Sequence, residues 1–162
     1  MKIAIMSDSH DCLENLERAL KIIKSREPDQ IIHAGDFCSP YTALSFSDLD
    51  IPFVGVFGNN DGDKLVIRDK FKNIGEIFDY STVFEIVDGG KILITHYPDL
   101  VESLAKSGDY DFIIYGHTHK LDIRKEEKTM IINPGAISGH LTDRSTFIFL
   151  NTVDSTVEIV EV

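Results

Sequence analysis

Three times within the first 73 residues a short apolar run gives way to polar residues and then to a helical pattern. Lys2 to Ser7 is followed by Leu13, Leu16, Leu20 and Ile23, spaced for one helix face with Glu14, Glu17, Arg18 and Lys21 between them. Gln30 to Ala34, after Pro28, leads to a short helix starting near Ser39-Pro40. Pro52 to Phe57 leads to Asp61 to Asn73, whose Leu65, Val66, Ile67 and Phe71 form a third helical face. Successive strand–helix units predict parallel strands, because a chain regains its direction only through a crossover, and functional loops then collect at the strands' C-terminal ends.

After Gly75 the pattern changes. Val83 to Val87 and Ile92 to Thr95 flank Asp88-Gly89-Gly90, which predicts a hairpin, since glycine supplies the positive φ of tight turns. A helix over Asp99 to Lys106 leads to an apolar strand at Phe112 to Tyr115, and further strands are expected near 121–124, 130–132, 146–150 and 157–160, paired antiparallel. The result is a mixed α/β (α+β) architecture of two packed sheets flanked by helices. At 162 residues, with no linker or repeat, the chain is expected to form one domain over 1–162.

Composition narrows the function. With 16 basic against 27 acidic residues, a net charge of −11, the chain lacks the cationic footprint of a duplex-binding or anionic-membrane module. A phosphate-bearing substrate then requires positive charge from elsewhere, and bound divalent metals would supply it. Cys12 and Cys38 are too few for a four-thiolate site and suit a reducing compartment. The apolar opening is interrupted by Asp8 and His10 too early for a signal-peptide core or a membrane span, so a cytoplasmic location is expected.

Histidine placement carries the chemistry. Asp8-Ser9-His10, Gly35-Asp36, Gly58-Asn59-Asn60-Asp61, Thr95-His96 and Gly116-His117-Thr118-His119 each follow an apolar strand. If those strand ends converge, five sets of oxygen and imidazole donors line one crevice. Two divalent cations about 3.5–4 Å apart need a bridging carboxylate, for which Asp36 is placed, and neutral imidazoles that fill positions without excess negative charge. In Asp8-x-His10 and His117-x-His119, alternate side chains share one direction if the strand stays extended, whereas irregular loops would send them to different metals. Glycines 35, 58 and 116 let the backbone pass close to the cluster.

This ordered set resembles the calcineurin-like metallophosphoesterase superfamily, and Asn133-Pro134-Gly135-Ala136 near the end of a short chain resembles its small bacterial and archaeal phosphodiesterase branch. The resemblance covers residues 3 to about 137. It implies a four-layer αββα sandwich and two divalent metal ions per chain, Mn2+ first, with Ni2+, Co2+, Fe2+ or Zn2+ also suited to the donors. It further implies that Asp8, His10, Asp36 and His119 hold one ion while Asp36, Asn59, His96 and His117 hold the other. The expected activity is hydrolysis of small phosphodiesters by a metal-bridging hydroxide, with His10 and Asn60 as catalytic candidates beside the metals. A scaffold of the same fold without catalysis is the alternative. One departure stands out: where much of the superfamily has histidine after the ligand asparagine, this chain has Asn60, which cannot act as an acid near neutral pH.

Other residues receive plainer expectations. Asp61 is expected to cap the helix that follows it, and Asn60 to make either a substrate contact or a local turn hydrogen bond. His33, inside an apolar run, is expected to be a satisfied core histidine or a partner to a ligand, and both cysteines to be packed small residues. His140 and Arg144 fall on a loop expected to be solvated, with contact to a substrate phosphate as the alternative, and segments 41–50 and 97–106 are the places where a homo-oligomer contact would shape specificity.

Overall fold

The computed structural model describes residues 1–87 and 89–162. In chain order the elements are β1 (Lys2–Met6), α1 (Leu13–Arg26), β2 (Gln30–His33), α2 (Thr42–Phe46), β3 (Phe53–Val56), α3 (Lys64–Phe71), β4 (Gly75–Phe78), β5 (Ser81–Glu85), β6 (Lys91–Thr95), α4 (Val101–Ser107), β7 (Phe112–Ile114), β8 (Leu121–Glu126), β9 (Thr129–Pro134), β10 (Thr146–Asn151) and β11 (Thr156–Glu161). One sheet has the order β11-β10-β1-β2-β3-β4 and the other β5-β6-β7-β9-β8.

The strand-helix repeats fold as predicted, with β1, β2, β3 and β4 mutually parallel. β4 is an addition to the sequence reading: four residues opening on a glycine at a sheet edge are too short to show a period. Antiparallel pairing, expected of the hairpin and of the tail strands, holds for β5–β6, β8–β9 and β10–β11, while β7 pairs parallel with both β6 and β9. α4 crosses over between β6 and β7, so the second sheet carries a strand–helix–strand unit too. Asp88 of the predicted turn lies outside the described residues; the strands either side of it pair in register, Glu85 opposite Lys91.

Side-chain alternation sorts the apolar residues into layers. Ile3 and Ile5 of β1, Ile32 of β2 and Val54 and Val56 of β3 meet Ile92, Ile94, Phe112, Ile114 and Ile132 between the sheets. Ala4, Met6, Ile31 and Phe53 point the other way, onto Leu16, Leu20 and Ile23 of α1, Phe46 of α2 and Phe71 of α3. Each such Leu, Ile or Phe contributes about 1.5–3 kcal/mol on full burial. Leu93, Ile113 and Ile131 leave the second sheet's outer face to pack on Val101 and Ala105 of α4. The order is therefore helices, sheet, sheet, helix. Among the described residues no helix is long and apolar enough to cross a membrane.

Candidate metal centre

The loops after β1, β2, β3, β6 and β7 leave the C-terminal ends of their strands and are joined to one another by backbone hydrogen bonds. Asp8 N–H donates to Gly35 C=O at 2.9 Å, His10 N–H to Asp36 C=O at 3.1 Å, Gly116 N–H to His96 C=O at 3.1 Å, and Ser138 N–H to Asp8 C=O at 3.1 Å. The last tie crosses from one sheet to the other. Asp8 (φ 53°), His10 (43°), Asp36 (60°), His117 (67°) and His119 (59°) all adopt left-handed backbone. The extended geometry considered for Asp8-x-His10 and His117-x-His119 is thus absent, and tight turns aim each side chain separately. A non-glycine residue in this region costs about 1–3 kcal/mol, so the inter-loop bonds are holding a strained constellation. A Cβ on Gly58 would overlap the Asp36 carboxylate, and one on Gly35 would lie 2.6 Å from His96 Nδ1.

All seven sequence-predicted donors come together. His119 Nε2 lies 3.3 Å from Asp8 Oδ1 and 3.1 Å from His10 Nε2. Asp36 Oδ2 sits between the two halves, 3.5 Å from His10 Nε2 and 3.4 Å from His96 Nε2. Beyond it, Asn59 Oδ1 is 3.0 Å from His96 Nε2 and 2.8 Å from His117 Nδ1. Two groups have donor atoms close enough to share a cation, Asp8 with His10 and His119, and Asp8 with Asp36 and His96. Neighbouring histidines 117 and 119 consequently face different parts of the cluster.

Proton counting tests whether a cation fits. His96 Nδ1 is 2.8 Å from the Ala34 carbonyl, which has no proton to give, so Nδ1 carries the hydrogen and donates. In neutral His96 the Nε2 lone pair is then aimed at Asn59 Oδ1 and Asp36 Oδ2, acceptors facing an acceptor. Turning the Asn59 amide would give the ring a donor, but the Asp36 carboxylate at 3.4 Å has no hydrogen to offer, and that contact is resolved by an extra proton or a metal ion. A backbone carbonyl on the far nitrogen is also how metal-ligating histidines are commonly oriented. The electrostatics agree in sign. Burial opposes ionisation of Asp8, yet His10, His119 and the Ser7 hydroxyl, at 2.6 Å, hold its carboxyl well below the usual range. Burial likewise works against Asp36, but His96 and Asn60 bring it down to about 2. His10 is raised, chiefly by Asp8, and His96 is raised by Asp36 against the effect of its own burial. Four groups thus report a field that favours positive charge, and the residues present fit divalent cations.

Around the donors lies a layer that the sequence reading resolved only in part. Asn60 gives both its backbone N–H and its Nδ2 to Asp36, each at 2.8 Å, so its amide steadies the shared carboxylate. Asp61 does not cap α3; Asp63 does, accepting from Val66 N–H at 3.3 Å. Asp61 is buried and accepts instead from the N–H groups of Gly58 (2.6 Å), Cys38 (2.8 Å) and Asp36 (3.1 Å), pinning two loops together. A carboxylate in a glycine-rich loop serves free N–H groups wherever they lie, and local spacing alone does not reveal that they belong to another loop. His33 is a satisfied core histidine: Gly35 N–H donates to its Nδ1 at 3.2 Å, leaving Nε2–H for Ser9 Oγ at 3.2 Å. Its ring stacks on Phe37 at 4.0 Å, and burial pushes its pKa down to about 3. Asn133 is buried and donates to Gly116 C=O (2.8 Å) and Thr118 Oγ1 (3.0 Å), bracing the His117–His119 turn from β9. Cys12 stands at the start of α1 without a capping side-chain bond, while Cys38 Sγ lies 3.4 Å from His10 Nδ1. His140 and Arg144 are exposed, as expected of that loop.

Comparison with known proteins follows the same outline. The model of the calcineurin-like phosphoesterase superfamily domain matches residues 1–155. A phosphodiesterase of Methanocaldococcus jannaschii is 38% identical over 157 residues, covering 94% of this chain and 93% of that protein. The solved structure of an archaeal phosphodiesterase superposes with a TM-score of 0.94 at 35% identity, with both chains covered completely. Vps29 of Entamoeba histolytica in complex with Zn2+ has a TM-score of 0.68 at 19% identity, covering 100% of this chain and 98% of that one, a likeness of fold alone. On the family match and the archaeal relative together, this chain belongs to the calcineurin-like phosphoesterase superfamily.

Proposed function

We propose that this protein is a phosphodiesterase working with two divalent metal ions, held by Asp8, His10, Asp36 and His119 on one side and by Asp36, Asn59, His96 and His117 on the other. The observation that carries this reading is the Asp36 carboxylate, set between His10 Nε2 and a His96 Nε2 whose ring hydrogen is committed to Ala34 C=O, which asks for a cation where that carboxylate can be shared. When bound, two such ions supply hydroxide near neutral pH by lowering the pKa of water to about 7, and they stabilise charge on the in-line transition state. Mn2+ is the first choice, with Ni2+, Co2+, Fe2+ and Zn2+ compatible with imidazole, carboxylate and amide donors.

The chain's own residues then have separable tasks. Asp36 lies between the two halves with its Oδ2, and Asn60 fixes that carboxylate through two hydrogen bonds. Asp8 is fixed in turn by Ser7 Oγ and by His117 N–H, at 3.1 Å. His10 turns Nε2 to the carboxylates and to His119, which favours a ligand's role over that of a proton donor. Without an acid at position 60, departure of a poor alkoxide is not assisted there, so diesters with good leaving groups are the favoured substrates. The acidic chain points to small phosphodiesters rather than duplex nucleic acid, and its two thiols to the cytoplasm. The test is to strip the metal, restore each divalent ion separately, and measure turnover of chromogenic diesters and monoesters. Activity that returns with metal and prefers diesters supports the reading. Metal binding without turnover of any phosphoester replaces it with the scaffold alternative.

A further inference from the structure

Six loops surround the centre, namely 7–12, 34–41, 57–63, 96–100, 115–120 and 135–145. Together they carry many aspartates and only two lysines or arginines, Lys120 and Arg144. Those two cations come from different sheets' connections, yet both line one cavity of about 180 Å3 together with His119, Leu121, Thr142 and Thr146. No carboxylate lines that cavity among the described residues. The volume corresponds to about six waters, enough for the five heavy atoms of a phosphate group. His119 is 7% exposed and forms the wall shared with the metal centre: its Nε2 faces Asp8 and His10, and its Nδ1 has no hydrogen-bond partner among the described residues.

We infer that this cavity is a substrate subsite for a second anionic group, so that the preferred substrates are diesters carrying a further phosphate a few bonds from the scissile phosphorus. The inference rests on the phosphodiesterase reading and names its substrate class. Lys120 is exposed and lines the cavity from the loop after β7. Arg144 is paired with a single oxygen of Glu161, Oε2, at 3.0 Å from Nη2 and 3.3 Å from Nε, and both partners are more than half exposed. Such a surface pair is easily exchanged for a better anion, and guanidinium binds phosphate through two parallel hydrogen bonds. The loop that presents Arg144 is itself fixed, since Thr142 Oγ1 donates to Arg144 C=O at 3.1 Å and Asp143 N–H to Gly139 C=O at 3.0 Å. Elsewhere round the centre the loops repel a second anion; here they attract one.

The experiment compares ethyl 4-nitrophenyl phosphate with 2-(phosphonooxy)ethyl 4-nitrophenyl phosphate, which share a leaving group and differ in the second phosphate. The metal-loaded wild type is expected to favour the phosphorylated diester at least about 10-fold in kcat/KM, the effect of one charge-assisted hydrogen bond. Lys120→Ala and Arg144→Ala should each reduce that ratio about 10-fold, Lys120→Glu should reverse it, and the remote Lys72→Ala should leave it unchanged. Metal content is measured throughout. Independently of turnover, the product ethylene bisphosphate should raise the melting temperature of the wild type and not of the Lys120→Glu/Arg144→Glu variant. If ethyl 4-nitrophenyl phosphate is hydrolysed but neither the ratio nor the product's thermal shift responds to Lys120 and Arg144, the subsite is overturned while the phosphodiesterase reading stands. If the metal-loaded wild type hydrolyses neither diester, that reading fails and the inference falls with it.

Discussion

The two sides of the centre are built differently. Around Asp8, His10 and His119 the donors are mostly withdrawn from solvent, with the Asp8 carboxylate fully buried. Around Asn59 and His117 the donors are exposed, and the oxygen is that of a neutral amide. Only Asp36 and the buried His96 give the second side depth and charge. Since attraction for a cation grows with donor charge and with removal from water, the two proposed ions should be held unequally, the one near Asp8 tightly and the one near Asn59 exchangeably. The design lesson is that one shared carboxylate can make a weak site depend on a strong one.

Removing that shared group is the severest way to break the asymmetry. Asp36→Asn takes one negative charge from both sides at once, so metal content should fall on both, and diesterase activity should drop about 1,000-fold, corresponding to several kcal/mol of transition-state stabilisation. Near-wild-type turnover by a folded, metal-analysed Asp36→Asn variant would sink the dinuclear reading. The next largest effects should separate the sides. His119→Ala and His117→Ala should each lower occupancy by about one ion, but excess metal should rescue His117→Ala far better, because its side is the exposed one. Equal rescue of the two variants would show that burial does not grade the sites.

Asn60 sharpens the comparison from the layer behind. Asn60→Ala keeps the backbone N–H bond to Asp36 and removes the one from Nδ2, which should weaken metal affinity about 10-fold on both sides, the usual scale for a group that orients a ligand. Asn60→His exchanges the clasp for a titratable ring and should raise monoester turnover relative to diester turnover at matched metal content. An unchanged affinity in Asn60→Ala, read by competition with a metal-chelating dye, would reduce Asn60 to a turn residue.

These contrasts were unequally visible in the sequence. The strand-helix repeats declared β1 to α3 because their periods change cleanly from apolar run to helical spacing, and the ordered Asp, Asn and His motifs declared which side chains gather. Hidden were the features that depend on a partner far along the chain. Asp61 looked like a helix cap because its spacing before α3 allows one, but its acceptor oxygens are taken by N–H groups of Asp36, Cys38 and Gly58. Nothing next to Asn133 in the sequence shows its partners, and only the parallel pairing of β7 with β9 brings it under Gly116. The left-handed backbone of five donors was hidden for a related reason: none of the five is a glycine, and the conformation is held by bonds between loops. Local pattern finds the elements and the chemistry, while the aiming of that chemistry is tertiary.

The smallest expected effect concerns His33, the one histidine near the centre that is withheld from it. Its folded pKa is depressed from 6.5 to about 3 by burial, so below pH 6.5 the unfolded chain binds a proton that the folded chain refuses. Stability attributable to His33 is therefore complete above pH 6.5 and falls as pH drops from there towards 3, by at most about 1.4 kcal/mol per pH unit. His10 and His96 act in the opposite sense, since their folded values are raised and the metal-free protein gains from protonating them as pH falls. Wild-type stability alone cannot separate the two contributions, but a variant can. His33→Gln keeps a hydrogen-bonding group near Ser9 and Gly35 and removes only this titration, at an overall cost of about 1–3 kcal/mol for imperfectly paired partners. Urea denaturation of both metal-free proteins at pH 7.5 and pH 5.5 should show the wild type losing about 1 kcal/mol more than the variant over that interval. If the stability difference between them is the same at both pH values, His33 takes up its proton as readily in the folded protein as in the unfolded one, and the line between the histidine in the core and those in the centre has to be moved.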